Sequence, residues 1–134
     1  MERPDESMNM GARLLENTLF AYLGEDDVPV LCTRARAYSW LRVEGGLHRS
    51  CIRRDGIDGL IIYTQFQHFS SEPDVPMFWE VNWYSLSPYR SGERRFGTKK
   101  EALEFHNRLV REPQLLERLT EDHNDKDGAD WWKE

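Results

Sequence analysis

Two adjacent glycines, Gly45 and Gly46, divide a stretch in which apolar and polar residues alternate on both sides, 37–44 before them and 47–54 after. A glycine pair reaches the positive φ angles that a two-residue hairpin turn needs, so the pattern predicts a β-hairpin and with it an antiparallel sheet. Pairing outward from the turn sets Glu44 opposite Leu47, Arg42 opposite Arg49, Trp40 opposite Cys51 and Tyr38 opposite Arg53. One face then carries Tyr38, Trp40, Arg42, Arg49, Cys51 and Arg53, and the other Leu41, Val43, His48, Ser50 and Ile52. Like charges directly opposite one another destabilise a sheet unless an anion lies nearby. Arg42 and Arg49 are therefore expected to meet either an internal acid, such as Glu80 or the acidic tail, or an acidic partner.

The remaining elements follow from periodicity and punctuation. A first helix is predicted from Asp5 or Ser7 to about Leu23, with Ala12, Leu15, Leu19 and Tyr22 as its buried stripe and Gly24 ending it. Residues 28–32 read as an edge strand, because Pro29 cannot donate to a ladder. Leu60–Phe66 is rich in β-branched and aromatic residues and forms another strand, and 77–86 a further one with Trp79, Val81 and Trp83 on one side. Residues 87–93 read as a loop. Thr98 and Glu101 have the spacing of a capping box, opening a helix with Ala102, Phe105 and Leu109 on its apolar face, and Pro113 fits the first turn of a further short helix in which Leu115, Leu116 and Leu119 can pack. The expected architecture is α+β: an N-terminal helix, an antiparallel meander of about four strands and one or two C-terminal helices packed on one sheet face. A single domain is expected over 1–120, followed by an acidic tail, 121–134, that ends in Trp131 and Trp132.

Composition limits the classes of function. The chain of 134 residues is 39% hydrophobic and 31% charged, with five Trp, five Tyr and six Phe, enough apolar material for one core. No apolar run approaches the roughly 20 residues of a membrane span, and the first residues lack the apolar core of a secretory signal. A cytoplasmic protein is expected. The net charge of −6 opposes nonspecific nucleic-acid binding by the whole molecule. Its distribution is uneven, however: between Arg34 and Arg54 stand six arginines against one acid, Glu44, and a second basic cluster comprises Arg90, Arg94, Arg95, Lys99 and Lys100.

Enzymatic signatures are missing, with no GxGxxG, GxxxxGK[ST], HExxH, GxSxG or paired CxxC. His48, His68, His106 and His123 are dispersed, and no cofactor or metal is expected. The tail resembles an EF-hand loop over twelve residues, with Asp125, Asp127, Gly128 and Glu134 at positions three, five, six and twelve. It departs from the pattern where His123 replaces the first carboxylate and Asp130 the usual aliphatic residue, and a solvated acidic tail is the preferred reading. The segment from Gly97 to Ala102 resembles the lysine-bearing helix start of double-stranded-RNA-binding domains, but a capping box with solvent-facing Lys99 and Lys100 accounts for the same residues. Cys51, set among Arg49, Arg53 and Arg54, reads as a small buried side chain rather than a reactive thiolate.

The leading expectation is a non-enzymatic protein-binding module of the inhibitor, immunity, adaptor or chaperone type. Its predicted contact residues are Tyr38, Trp40, Arg42, Arg49 and Arg53, joined by Trp131 and Trp132, whose large apolar surfaces should dock on the chain itself or on a partner. The expected partner is a protein with an acidic patch, with homodimerisation left open. A nucleic-acid-binding module using the same arginines with Arg94, Arg95, Lys99 and Lys100 is the alternative. A small enzyme with a site assembled from distant residues, such as His68 or His106 with nearby acids, is third.

Overall fold

A computed structural model describes residues 18–71, 75–86 and 89–117. In chain order its elements are β1 (Leu19–Leu23), a 3-10 turn (Glu25–Asp27), β2 (Pro29–Cys32), α1 (Arg34–Arg42), α2 (Gly46–Arg49), β3 (Cys51–Ile57), β4 (Leu60–Phe66), β5 (Phe69–Ser70), β6 (Trp79–Leu86), β7 (Tyr89–Phe96) and α3 (Lys99–Arg111). The class is α+β with antiparallel sheets, and among the described residues no helix is long and apolar enough to cross a membrane. Two compact units emerge: 18–50 with 67–71 and 75–78, and 51–66 with 79–86 and 89–117.

The first unit holds a three-stranded sheet of order β2-β1-β5, against which α1 packs. Here the hairpin expected around Gly45 and Gly46 is replaced by helices. Thr33 caps α1 by accepting the Arg36 N–H on its side chain at 3.1 Å, and Ala37 and Trp40, three residues apart, form the buried stripe. The two glycines have different tasks. Gly45 takes the left-handed conformation, φ +74°, just beyond the helix end. Gly46 lies against Trp40, where a Cβ would fall 2.5 Å from the indole and 2.6 Å from the Trp40 carbonyl oxygen. Arg42 therefore does not face Arg49 across a ladder, and the Trp40–Cys51 and Tyr38–Arg53 pairs do not form either. An alternating reading of 37–44 fails because helix-forming Ala and Arg, a threonine cap and the Trp40 contact all favour the 3.6-residue period.

Two further expectations are corrected at the chain's start. Leu19 and Tyr22 belong to β1 rather than to the end of an N-terminal helix, and the rest of that predicted helix lies outside the described residues. Residues 29–32 do form an edge strand of this sheet, with Leu23 opposite Pro29.

The second unit is a four-stranded antiparallel meander of order β3-β4-β6-β7, with α3 packed on one face. The register Ile62↔Trp83, Thr64↔Val81 and Phe66↔Trp79 sets these buried side chains on the helix side. Ala102, Phe105 and Leu109 of α3 meet them, and the Phe105 ring stands 6.0 Å from Trp83 and 5.3 Å from Phe96. The capping box forms: Thr98 accepts from the Glu101 N–H at 3.1 Å and donates to Glu101 Oε1 at 3.0 Å. Most of the predicted 87–93 loop is instead the start of β7, running antiparallel to β6 from Leu86↔Tyr89 to Trp79↔Phe96. Its Gly92 leaves room for Trp83, whose indole would lie 2.5 Å from any Cβ there.

Candidate functional site

In the first unit, α1 projects Arg34, Tyr38 and Arg42 along one stripe, four residues apart. Both guanidinium groups lie over the Tyr38 ring, Arg34 at 5.3 Å and Arg42 at 5.6 Å from its centroid, within the range of cation–π attraction. The His68 ring stands edge-on to the same tyrosine at 4.8 Å. Arg34 and Arg42 are exposed and form no ion pair among the described residues. Arg36, on the neighbouring stripe, is bound by Glu44 and lies over Tyr22 at 4.4 Å. Just past α1, Val43 and Leu47 are 79% and 75% exposed.

The other predicted contact residues are distributed differently. Trp40 is 2% exposed and belongs to the core of its unit. Arg49 donates to the carbonyl oxygens of Leu23 and Gly24 at 3.4 and 3.3 Å. Arg53, in the second unit, is held by Asp55 at 2.8 Å and by Asn107, so an internal acid neutralises it. Glu80 is bound by Gln65, Asn82 and Arg95 of its own unit. Trp131 and Trp132 lie outside the described residues, as does the twelve-residue segment compared with a calcium loop. Cys51 is exposed at the start of β3 rather than buried, and burial pushes the Cys32 thiol up, partly offset by Arg36.

The second unit contains two polar networks, one on each sheet face. On the helix side, His106 lies fully buried between Thr64 and Asp55, with Nδ1 2.7 Å from Thr64 Oγ1 and Nε2 2.5 Å from Asp55 Oδ2. An ionised Asp55 can only accept, so Nε2 carries the proton and Nδ1 accepts from the Thr64 hydroxyl. The order hydroxyl, imidazole, carboxylate is that of a nucleophilic triad. Thr64 and His106, however, have no solvent-exposed surface, and a substrate cannot reach the hydroxyl. The arrangement anchors α3 to β3 and β4.

On the opposite face, Glu80 is only 3% exposed. Its Oε1 accepts from Gln65 Nε2 and Asn82 Nδ2, each at 3.0 Å, and its Oε2 from Arg95 Nε at 3.2 Å. The negative charge of Glu80 is the first cause that holds the Glu93 carboxyl above its usual range, followed by burial and a hydrogen bond between the two. Tyr63 is raised by burial first and then by Glu80. Sequence reasoning gave Glu80 only as a possible counter-ion and did not find this group, since Arg95 and Glu93 become its neighbours only through the β6–β7 register. Among the described residues no three His, Cys, Asp or Glu side chains converge as a metal site requires. No family model, curated protein or solved structure matches the chain.

The His106 network makes stability depend on pH. Burial holds the His106 pKa below the usual 6.5, with Arg53 acting in the same direction and Asp55 partly opposing them. The unfolded chain then binds more protons in acid, so stability falls as pH drops below 6.5. The hydrogen bond from His106 and the charge of Arg53 hold Asp55 below 3.8, adding a second loss below that pH. Glu93, raised above 4.5, has the opposite sign and loses stabilisation as pH rises through its folded value. Urea midpoints between about pH 7.5 and pH 5 should fall with acidification, and His106→Gln should flatten that slope. An unchanged slope in the variant rules out His106 as its source.

Proposed function

We propose that the chain is a non-enzymatic protein-binding module that meets an acidic partner surface through Arg34, Tyr38 and Arg42 of α1. The observation that supports this reading is the pair of exposed guanidinium groups flanking Tyr38 with no carboxylate partner among the described residues. Arginine and tyrosine supply much of the binding energy at protein interfaces, because each offers a large, stiff contact surface with a polar end. The two guanidinium carbons lie 5.3 and 5.6 Å from the same ring centroid and so no more than about 11 Å apart, a spacing that two or more carboxylates on a partner can match. Val43 and Leu47 supply apolar surface in the chain that follows.

The test is capture from the source organism's lysate with the native chain and the double variant Arg34→Glu, Arg42→Glu, with and without nuclease. The substitutions should leave the fold in place: a glutamate at the start of α1 complements the helix dipole and one at its end opposes it, each by about 0.3–1 kcal/mol. Nuclease-resistant partners should be retained roughly tenfold less well by the variant, corresponding to about 1.4 kcal/mol. Equal retention overturns the assignment of this stripe. Loss of all partners on nuclease treatment replaces a protein partner by a nucleic acid, which a steep salt dependence would accompany.

A further inference from the structure

A pocket of about 240 Å³ opens in the first unit, lined by Tyr22, Leu23, Gly24, Glu25, Arg36, Trp40, Glu44 and Arg49. It lies below the range of roughly 300–1,000 Å³ usual for drug-sized ligands, so a fitting molecule has few heavy atoms. Four charged side chains face it, and two of them, Arg36 and Glu44, neutralise each other. The other two do not. Arg49 spends its Nη groups on two backbone carbonyls and has no carboxylate partner among the described residues, while Glu25, on the acidic turn, has no cationic one.

The position of Arg49 follows from the strand geometry. Ala21 donates its N–H to His68 on the β5 side of β1. Leu23, two residues on, turns its backbone to the same side, past the end of the two-residue β5. Its carbonyl is therefore open to the Arg49 guanidinium. Gly46, which packs α2 closely against Trp40, brings Arg49 to this point three residues later. Thus one uncompensated cation and one uncompensated anion line a small pocket whose lining includes Tyr22 and Trp40.

We propose that this pocket binds a small zwitterion of the α-amino acid class, with its carboxylate on Arg49, its ammonium on Glu25 and an apolar side chain against the partly exposed Tyr22. Both charged contacts are solvent-accessible, and such pairs contribute little individually, so dissociation constants on the order of 1 mM are expected. The inference is independent of the α1 stripe, since none of Arg34, Tyr38 and Arg42 lines the pocket.

L-leucine and L-phenylalanine are the probes, measured by calorimetry or saturation-transfer NMR beside N-acetyl-L-leucine, which lacks the ammonium, and L-leucinamide, which lacks the carboxylate. The free amino acids should bind, and each derivative should bind roughly tenfold less well, a loss of about 1.4 kcal/mol. Glu25→Gln should remove the discrimination against the N-acetyl form, and Arg49→Gln the discrimination against the amide. Glu25 is exposed on a turn and its side chain has no hydrogen-bond partner among the described residues, so this variant tests the proposal even if Arg49→Gln proves unstable. Absence of saturable binding up to about 10 mM, or equal binding of free and N-acetylated leucine, overturns it.

Discussion

Replacing Phe105 with alanine should destabilise the four-stranded unit by about 3–5 kcal/mol, a large part of the 5–15 kcal/mol that typically separates folded from unfolded domains. The residue is fully buried and stands at the centre of the contact between α3 and its sheet, with Trp83 on one side, Phe96 on another and the Arg94 guanidinium 5.8 Å from its ring centroid. Truncation removes the apolar transfer energy of the ring and leaves a space that two large aromatic neighbours, fixed on strands, cannot close. The neighbouring contacts of α3 offer no substitute: Leu109 and Ala102 are smaller, and His106 is committed to Thr64 and Asp55. Urea unfolding followed by far-UV circular dichroism measures the change. Phe105→Leu, which retains most of the volume, should cost well under half as much. A loss below about 1 kcal/mol for the alanine variant would contradict the packing of α3 on this sheet.

The parts of the fold that could be read from the sequence were those decided within a few residues. Thr98 and Glu101 satisfy each other's local groups wherever the helix goes, and Ile62, Thr64 and Phe66 alternate in a strand whose pattern has no helical competitor. Around Gly45 both periods were present in the same residues. The choice fell to a tertiary contact, the Trp40 ring on Gly46, and with it the predicted face of Tyr38, Trp40, Arg42, Arg49 and Arg53 was divided among a helix stripe, a core and two hydrogen-bonded sites. β7 escaped detection for a related reason. Arg90 and Glu93 resemble a solvated loop, and Gly92 resembles a turn, until the register supplies Glu80 for Arg95 and Trp83 for the glycine. Likewise, 51 residues separate Asp55 from His106, beyond any local pattern.

Removing the Arg95 guanidinium tests whether that register is held together by charge. Glu80 is nearly inaccessible, and without Arg95 its carboxylate would retain the two neutral amide donors of Gln65 and Asn82 beside a second carboxyl, Glu93. Uncompensated buried charge usually costs about 3–5 kcal/mol. Because the Arg95 side chain is 24% exposed and water can partly replace it, Arg95→Met should cost about 2–4 kcal/mol at neutral pH while keeping the packing of the arginine stem. The penalty belongs to the ionised form of Glu80, so it should shrink as pH falls and the carboxyl pair takes up a proton. Glu80→Gln in the Arg95→Met background should recover much of the loss, since the amide oxygen can still accept from Gln65 and Asn82 and carries no charge to strand. A cycle of the two single variants and the double variant isolates the coupling, which is expected to exceed about 1 kcal/mol. Additive single effects would mean that Glu80 and Arg95 act separately.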